Sequence, residues 1–279
     1  MPDSVRKWLR KSDLDPVDAR LLLSHVTGLS RIELITRSDR LLTETEFSQL
    51  EELAKTRKQG MPIPYILNNQ EFFSRNFKVN PSVLIPRPDT EVLIEWLLDN
   101  LRPSDSVVDL GTGSGCIAIT LKKELPTLQV SASDISIDAL NTAKENASDL
   151  EADITFRQGS WLDAFDSNIT FDVLVSNPPY IRKDHHHLQA LRFEPINALT
   201  DGDNGLQCID TILSQAKERL SHSLRIIAIE HGWDQGEYVR NLFAQHGFFN
   251  AQTHRDYGNN ERFTTWQHQS LNHNFFLKI

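Results

Sequence analysis

SVVDLGTGSG, residues 106–115, decides how this chain is read. SVVDL has the composition of a short strand, and three glycines, Gly111, Gly113 and Gly115, follow within five positions. Glycines let a backbone turn tightly and let a ligand approach it closely. The loop feeds a helix that opens at Cys116. A strand, a glycine loop and a helix in succession suggest an open α/β sheet, in which ligands sit at the carboxyl ends of strands near the switch point. Taken alone, the loop reads equally well as a structural turn.

Working outward, strands alternate with helices. Residues 129–134, 154–158, 171–176 and 224–230 read as strands, and 135–147, 206–220 and 234–245 contain helices. Two short late strands fall near 250–255 and 263–267. This alternation predicts an α/β fold: a mostly parallel sheet, seven-stranded by this count, with helices on both faces. Ahead of it, residues 1–69 read as a small helical domain. Asp15-Pro16 opens a helix that Gly28 stops, and Thr43 with Glu46 has the spacing of a capping box. Residues 61–90 hold five prolines and end in the rigid Ile85-Pro86-Arg87-Pro88. Residues 70–90 are expected to be a β-hairpin and linker, and 91–279 the domain that carries the glycine loop.

The bulk numbers narrow the class. The 279 residues are 39% hydrophobic and 24% charged, which predicts a globular protein with a real core. A net charge of −9 argues against bare nucleic-acid phosphate as the partner. Cys116 and Cys208, far apart, suggest neither a disulfide framework nor a zinc site. MPDSVRKWLRKSDLDP lacks the apolar region of a signal peptide, and no window is apolar enough to span a membrane. A cytoplasmic, monomeric protein is the expectation.

Two features shift the glycine loop from structural to ligand-binding. The next strand ends in Asp134, about twenty residues on, where a carboxylate can accept hydrogen bonds from both hydroxyls of a ribose. The spacing is Gly-x-Gly-x-Gly, and Cys116 follows it, so the third glycine of the dinucleotide pattern is missing. A nucleoside with a short zwitterionic tail fits better than a pyrophosphate, and that ligand is S-adenosylmethionine. Gly111, Thr112, Gly113, Ser114, Gly115 and Asp134 are the candidate cofactor residues. Trp161, after the third strand, reads equally well as an adenine contact or a core aromatic.

FDVLVSNPPYIR, residues 171–182, runs a strand into a polar amide, two prolines and a tyrosine. In a doubly wound sheet this fourth strand lies beside the first, so Asn177 comes near the cofactor's methyl group. Asn177 precedes a proline and is pushed into the extended region, and both prolines fix φ and lack an N–H. The Asn177 side-chain oxygen and the Pro178 carbonyl can therefore both accept from one planar –NH₂ group, while Tyr180 packs on the planar substrate. Holding such a nitrogen in line with a sulfonium methyl supplies about 7–11 kcal/mol in favourable cases. No general base is needed before transfer. The alternative reading of the box is an irregular strand exit.

These residues resemble the PrmC/HemK family of class I, Rossmann-like S-adenosylmethionine-dependent methyltransferases. The likeness runs through Pro64-Tyr65-Ile66-Leu67, Val83 to Glu91, Asp109 to Gly115, Asp134 and Ser176 to Ile181. It continues in Glu194-Pro195, Ala198-Leu199, Asp203-x-Gly205-Leu206, Ile229 to Gly232, Arg255 to Gly258 and Glu261-Arg262. Asn-Pro-Pro-Tyr alone is shared with methyltransferases of adenine in DNA and guanine in ribosomal RNA; Ile-Pro-Arg-Pro-Asp-Thr-Glu is more specific. The family has Glu where this chain has Asp89, and often glycine near Asn68-Asn69 and near Ser74-Arg75.

The resemblance implies an enzyme that methylates the glutamine amide of the Gly-Gly-Gln motif of bacterial peptide-chain release factors, in support of translation termination. S-adenosyl-L-homocysteine would be the product. It implies that Gly111 to Gly115 line the methionine end of the cofactor, Asp134 its ribose and Trp161 its adenine. Asn177 would touch cofactor and substrate, and Pro178, Pro179 and Tyr180 would hold the amide. The small helical domain would help receive the release factor. Two other readings stay open: an adenine or guanine amino-methyltransferase, which would have to flip out a base, and a cofactor-binding interaction protein without catalysis.

Remaining features read mainly as structural. Arg87 either contacts the substrate protein or ties the hairpin to the catalytic domain. Glu230-His231 could move protons but suits structural hydrogen bonding. Three consecutive histidines, His185-His186-His187, cannot all reach one metal from a regular element, so a solvated loop and no metal site are expected. Cys208 is expected in the core.

Overall fold

Eleven α-helices and nine strands account for most of residues 3–220 and 222–268, which the computed structural model describes. The chain divides after Asn69 into two units. The first is helical: α1 (Val5–Lys11), α2 (Pro16–Thr27), α3 (Arg31–Thr36), α4 (Glu44–Lys58) and α5 (Ile63–Leu67). Helix α2 begins where Asp15 accepts from the Val17 amide at 2.7 Å and ends at Gly28, whose φ is 69°. Thr43 and Glu46 close a reciprocal capping box on α4, a device worth ~1 kcal/mol. Helix α3 carries a second box, Ser30 with Glu33, which sequence reading passed over because the helix is only six residues long. Leu22, Leu23 and Leu50 are fully buried at the centre of this unit.

The second unit begins with an antiparallel hairpin, β1 (Gln70–Phe72) and β2 (Arg75–Phe77). Residues 70–90, expected as a hairpin and linker, lie within this unit. Phe72 and Phe77 are fully buried in its core, and Glu91 Oε1 accepts from the Phe73 amide at 2.9 Å. Asn68 and Ser74, near which the family often has glycine, take φ of 52° and 59°, the left-handed region.

Then follow α6 (Glu91–Asn100), β3 (Ser106–Leu110), α7 (Cys116–Glu124), β4 (Gln129–Asp134), α8 (Ile137–Asp149), β5 (Thr155–Gln158) and β6 (Val173–Ser176). The chain continues through α9 (His187–Ala190), α10 (Gln207–Leu220), β7 (Ile226–Glu230), α11 (Gly236–Gln245), β8 (Gln252–Arg255) and β9 (Glu261–Gln267). The seven-stranded sheet has the order β5-β4-β3-β6-β7-β9-β8, with β9 running opposite to the other six strands.

Alternate residues of the central strands feed two cores. Val107, Val173, Val175, Ile226 and Ala228 pack with α6 and α7; Val108, Leu110, Leu174, Ile227 and Ile229 pack with α10 and α11. Strands buried on both faces read as continuous apolar runs. The chain leaves β3 toward β4 on one side and returns as β6 on the other, so the switch point lies between β3 and β6. There Leu110 is in register with Ser176, whose hydroxyl donates to the Leu110 carbonyl at 2.7 Å. Among the described residues, no helix is long and apolar enough to cross a membrane.

Candidate active site

A cavity of about 360 Å³ opens at this switch point, within the usual range for small-ligand sites. On one side lies the glycine loop. Gly111, Gly113 and Gly115 have φ of 72°, 55° and 83°, conformations that other residues adopt only with strain. The Gly111 and Thr112 amides donate to the Ser133 carbonyl at 2.8 and 2.9 Å, which pins the loop to β4. Asp109, fully buried beneath it, accepts from the Thr112 hydroxyl at 2.6 Å, and burial raises its carboxyl to about 7. A Cβ on Gly115 would meet Ile119 Cδ1 at 2.8 Å, so this glycine serves the close packing of α7 and does not line the cavity. Gly113 does line it, and a Cβ there would meet nothing within 4 Å.

Asp134 lines the cavity at the end of β4. Its Oδ2 accepts from the Gly113 amide and its Oδ1 from the Ser136 amide, both at 2.9 Å. A carboxylate has about four lone-pair sites, so capacity remains for a diol. Burial raises this carboxyl above its ordinary range, and the backbone donors offset part of that. Trp161 follows β5 with φ of 51°, rare for a bulky residue and costing on the order of 1–3 kcal/mol. The hydroxyl of Ser133 donates to its carbonyl at 3.0 Å, and its ring lies 3.0 Å from where a Gly111 Cβ would stand. Trp161 is half-buried on the cavity wall, and Ile135, 67% exposed, adds an apolar surface beside Asp134.

On the other side, Asn177 and Pro179 line the cavity, while Pro178 and Tyr180, expected to hold the substrate, are not among its lining residues. The Asn177 Nδ2 donates to the Thr90 hydroxyl oxygen at 3.4 Å, and its Oδ1 is buried without a partner. An unmet buried acceptor costs about 1–3 kcal/mol. No main-chain amide among the described residues donates to the Pro178 carbonyl. The Tyr180 hydroxyl donates to Glu230 Oε1 at 3.4 Å, and its carbonyl accepts from Gln235 Nε2 at 3.0 Å. Burial and the Glu230 charge push the Tyr180 phenol above its ordinary range. Glu230, at the end of β7, is itself buried, which raises its carboxyl to about 7; Thr90, Arg262 and Tyr180 draw it down, and its Oε2 is buried without a hydrogen-bond partner.

The proline-rich segment 85–91 is tied in by ion pairs. Arg87 pairs with buried Glu194 at 2.5 Å, and the other Glu194 oxygen accepts from the Ile85 amide at 3.1 Å. Asp89 pairs with Arg262 at 3.1 Å, and Arg262 with Asp256 at 2.9 Å. Arg87 is thus a structural tie and a cavity-lining residue at once. The loop beyond the box is knitted to it: the Ile181 amide donates to the Leu199 carbonyl at 2.9 Å, and that of Lys183 to Asp203 at 3.0 Å.

Other residues fall differently from expectation. Cys208, expected in the core, is half-buried and lines the cavity, as does Cys116. Burial pushes these thiols up to about 11 and 12, so neither is a nucleophile at neutral pH. His231 does not line the cavity; its Nε2 meets the Thr264 hydroxyl and its Nδ1 the Gly232 carbonyl, both at 2.8 Å, and burial lowers it to about 4. His185 and His186 precede α9 in a turn rather than a regular element, so the three rings of His185, His186 and His187 converge, with ligand-capable nitrogens within 4.8 Å of one another. Thr90 went unnoticed in the sequence: nothing local marks it, because the side chain it meets, Asn177, lies 87 positions away.

Known protein families match both units of the chain. A model of the PrmC N-terminal domain matches residues 4–67, and one of the methyltransferase small domain matches residues 88–193. The release factor glutamine methyltransferase of Neisseria gonorrhoeae is 44% identical over 261 residues, covering 92% of this chain and 95% of its own. Those of Aliivibrio fischeri and Escherichia coli are 41% and 40% identical, covering 93% and 92% of this chain and 92% and 96% of their own. Among solved structures, a methyltransferase from Pyrococcus furiosus has a TM-score of 0.54 at 16% identity, covering 76% of this chain and 98% of its own. The N-terminal domain of human METTL16 in complex with SAH also has a TM-score of 0.54, at 18% identity, covering 92% of this chain and 96% of its own. At such identities the structural likeness concerns the fold.

Proposed function

Because the chain belongs to the PrmC family of release factor glutamine methyltransferases, we propose that it methylates the side-chain amide nitrogen of the glutamine in a release factor's Gly-Gly-Gln motif, using S-adenosylmethionine. Its class, a methyltransferase of protein glutamine, follows from that membership. The observation that carries the finer reading is Asn177. It stands at the end of β6 on the wall of the cavity that the glycine loop of β3 also lines, with a buried amide oxygen that lacks a donor. A primary amide entering the cavity would supply that donor.

The residues present fit the cofactor. Gly113 offers open space at the loop, Asp134 keeps acceptor capacity for a ribose, and Ile135 with Trp161 offers apolar surface for an adenine. When bound, S-adenosylmethionine supplies a methyl group activated by the sulfonium. The chain's own task is to present the nitrogen. Asn177 Oδ1 and the Pro178 carbonyl would accept its two N–H groups, build electron density on nitrogen and aim its lone pair. Tyr180, whose hydroxyl points to Glu230, would shape the wall from behind. The two acceptors can hold the amide without removing a proton before transfer.

The test is methyl transfer from labelled S-adenosylmethionine. Purified release factor, the same factor with its Gly-Gly-Gln glutamine replaced, DNA and ribosomal RNA are offered in parallel. We expect label on the intact factor alone. Label on nucleic acid with none on the factor would remove this reading and favour a base methyltransferase.

A further inference from the structure

The substrate box leaves the sheet at the end of β6 and is pinned again at a single peptide unit. Its two prolines fix φ at 178 and 179 but leave ψ free, and ψ decides where the Pro178 carbonyl points. Among the described residues, no main-chain amide donates to a carbonyl of residues 177–180. The far end of the box is held by the peptide that joins Tyr180 to Ile181. Its N–H donates to the Leu199 carbonyl at 2.9 Å, and its C=O accepts from Gln235 Nε2 at 3.0 Å. A peptide is planar, so one held at both edges cannot turn about the chain.

Gln235, 7% exposed, stands just before α11. A side-chain amide turned over has the same shape, but here the partners allow one orientation. The Gly232 amide can only donate, and it meets Oε1 at 2.8 Å. The Tyr180 and Gly205 carbonyls can only accept, and they meet Nε2 at 3.0 and 3.4 Å. Two glycines keep room for this amide. A Cβ on Gly232 would stand 2.9 Å from Gln235 Oε1, and one on Gly205 would stand 3.0 Å from its Nε2. Gly232 follows the end of β7, the strand beside β6, so one buried side chain ties together the exits of two neighbouring strands.

We propose that Gln235 is a positioning residue for methyl transfer: by fixing the Tyr180–Ile181 peptide it sets the direction of the Pro178 carbonyl, one of the two acceptors for the substrate's N–H groups. The inference rests on the reading of this cavity as a glutamine-amide site. With β6 at one end and the held peptide at the other, the two prolines between them leave the Pro178 carbonyl little freedom. Without the Nε2 donor, the peptide keeps only its bond to Leu199 and can turn about it. The Pro178 carbonyl then swings, and the substrate nitrogen loses one of the two partners that aim its lone pair. Gln235 does not line the cavity, so it acts through the box and not by touching either ligand.

The test compares Gln235→Met, which keeps much of the shape without a donor, with Gln235→Glu, whose neutral acid has one O–H donor and whose ionised form has none. Steady-state methylation of release factor is measured with the full-length proteins from pH 5.5 to 9, beside calorimetric titration with S-adenosyl-L-homocysteine. We expect Gln235→Met to lower kcat at least tenfold, with KM for both substrates and the Kd of the titrant within threefold. Wild-type kcat overturns the proposal. So does a loss of affinity as large as the loss of kcat, because the whole cavity and not one carbonyl would then be disturbed. For Gln235→Glu, kcat relative to wild type should fall at least fivefold as pH rises through the range, since the ionised carboxylate opposes the Tyr180 carbonyl. The charged and titratable groups around it are Tyr180, Glu230, His231, Asp234 with Arg182, and Glu261. Both proteins carry them, so the ratio reports the new carboxyl. A ratio that does not change with pH overturns the proposal, and it does so even if Gln235→Met does not fold. A wild-type protein that labels nucleic acid and not the factor removes the underlying reading; an active wild type with an equally active Gln235→Met removes the inference alone.

Discussion

The two sides of the crevice are built in opposite ways. The glycine-loop side carries its own geometry: the positive φ angles of Gly111, Gly113 and Gly115 shape it, and Asp134 and Ser133, from the adjacent strand, hold its amides. The Asn177 side has little local support. The Asn177 amide meets Thr90, the Tyr180 hydroxyl meets Glu230 and the Tyr180 carbonyl meets Gln235, all partners distant in sequence. A ligand that is the same in every turnover can be met by a self-contained loop. On the proposed mechanism a reacting amide is held by two acceptors at once, and a strand exit with two prolines cannot supply that rigidity alone. Damage on the first side should therefore show as lost cofactor affinity, and damage on the second as lost turnover.

The largest effect expected is that of Asn177→Ala. Removing one preorganised polar group from a reacting centre costs about 10²–10³ in rate, so we expect kcat to fall by that order with cofactor Kd within tenfold. Asp134→Ala should do the reverse. It removes the anchor of the Gly113 amide and the charge-assisted bonds proposed to the ribose, so cofactor Kd should rise roughly tenfold to a hundredfold. Calorimetric titration with S-adenosyl-L-homocysteine and turnover at saturating cofactor separate the two. Equal losses of affinity and turnover in both variants would erase the contrast between the sides.

A pair of glycines sharpens it further. Gly202 and Gly205 have nearly the same φ, 81° and 80°, but a Cβ at 202 meets nothing within 4 Å, whereas one at 205 would stand 2.2 Å from the Tyr180 carbonyl oxygen. Gly202→Ala should cost only the left-handed penalty, roughly 1–2 kcal/mol. Gly205→Ala must also displace the backbone of the substrate box, so we expect it to cost several kcal/mol in urea denaturation and most of the turnover. Similar costs for both would mean that the Tyr180 carbonyl can move freely.

Glu230 adds a dependence on pH. Its carboxyl ionises near 4.5 when unfolded and at about 7 when folded, so between these values the folded chain keeps a proton that the unfolded chain has released. Stability from this group is therefore full below pH 4.5 and is lost as pH rises toward 7. Glutamine at 230 does not titrate. The stability of Glu230→Gln minus that of wild type should grow across this window by on the order of 3 kcal/mol. A difference that stays flat from pH 4.5 to 8 would show that Glu230 is hydrated and not held as described.

What was legible in the sequence follows the same division. Strand, glycine loop and helix at 106–116, and the placing of Asn177 beside them, could be read because patterning and glycine chemistry act over a few residues. Asp15, Gly28 and the Thr43–Glu46 box were legible for the same reason. Thr90 and the burial of Phe72 and Phe77 were not, because each acquires its meaning from partners the chain reaches only after folding. Gly115 shows the limit from the other direction: it belongs to the motif, yet it is spent on packing α7 against Ala143 and not on the cavity wall.

The smallest effect concerns the three histidines that follow the substrate box. The sequence argued that His185, His186 and His187 cannot converge from a regular element, and the turn before α9 lets them do so. Their rings pack with centroids 4.5–5.0 Å apart, and burial with the neighbouring rings lowers His185, which favours the neutral, ligand-competent form. Convergence alone does not make them part of the transfer. In the proposed mechanism the sulfonium activates the methyl group and the two acceptors orient the amide, so no step calls for a Lewis acid. We expect a chelator to leave methylation of the release factor unchanged within twofold, and His186→Ala to do the same. A loss of turnover with chelator that added zinc restores in wild type but not in His186→Ala would extend the functional site to this turn. The Asn177 side would then depend on one more support, drawn this time from the residues next to it.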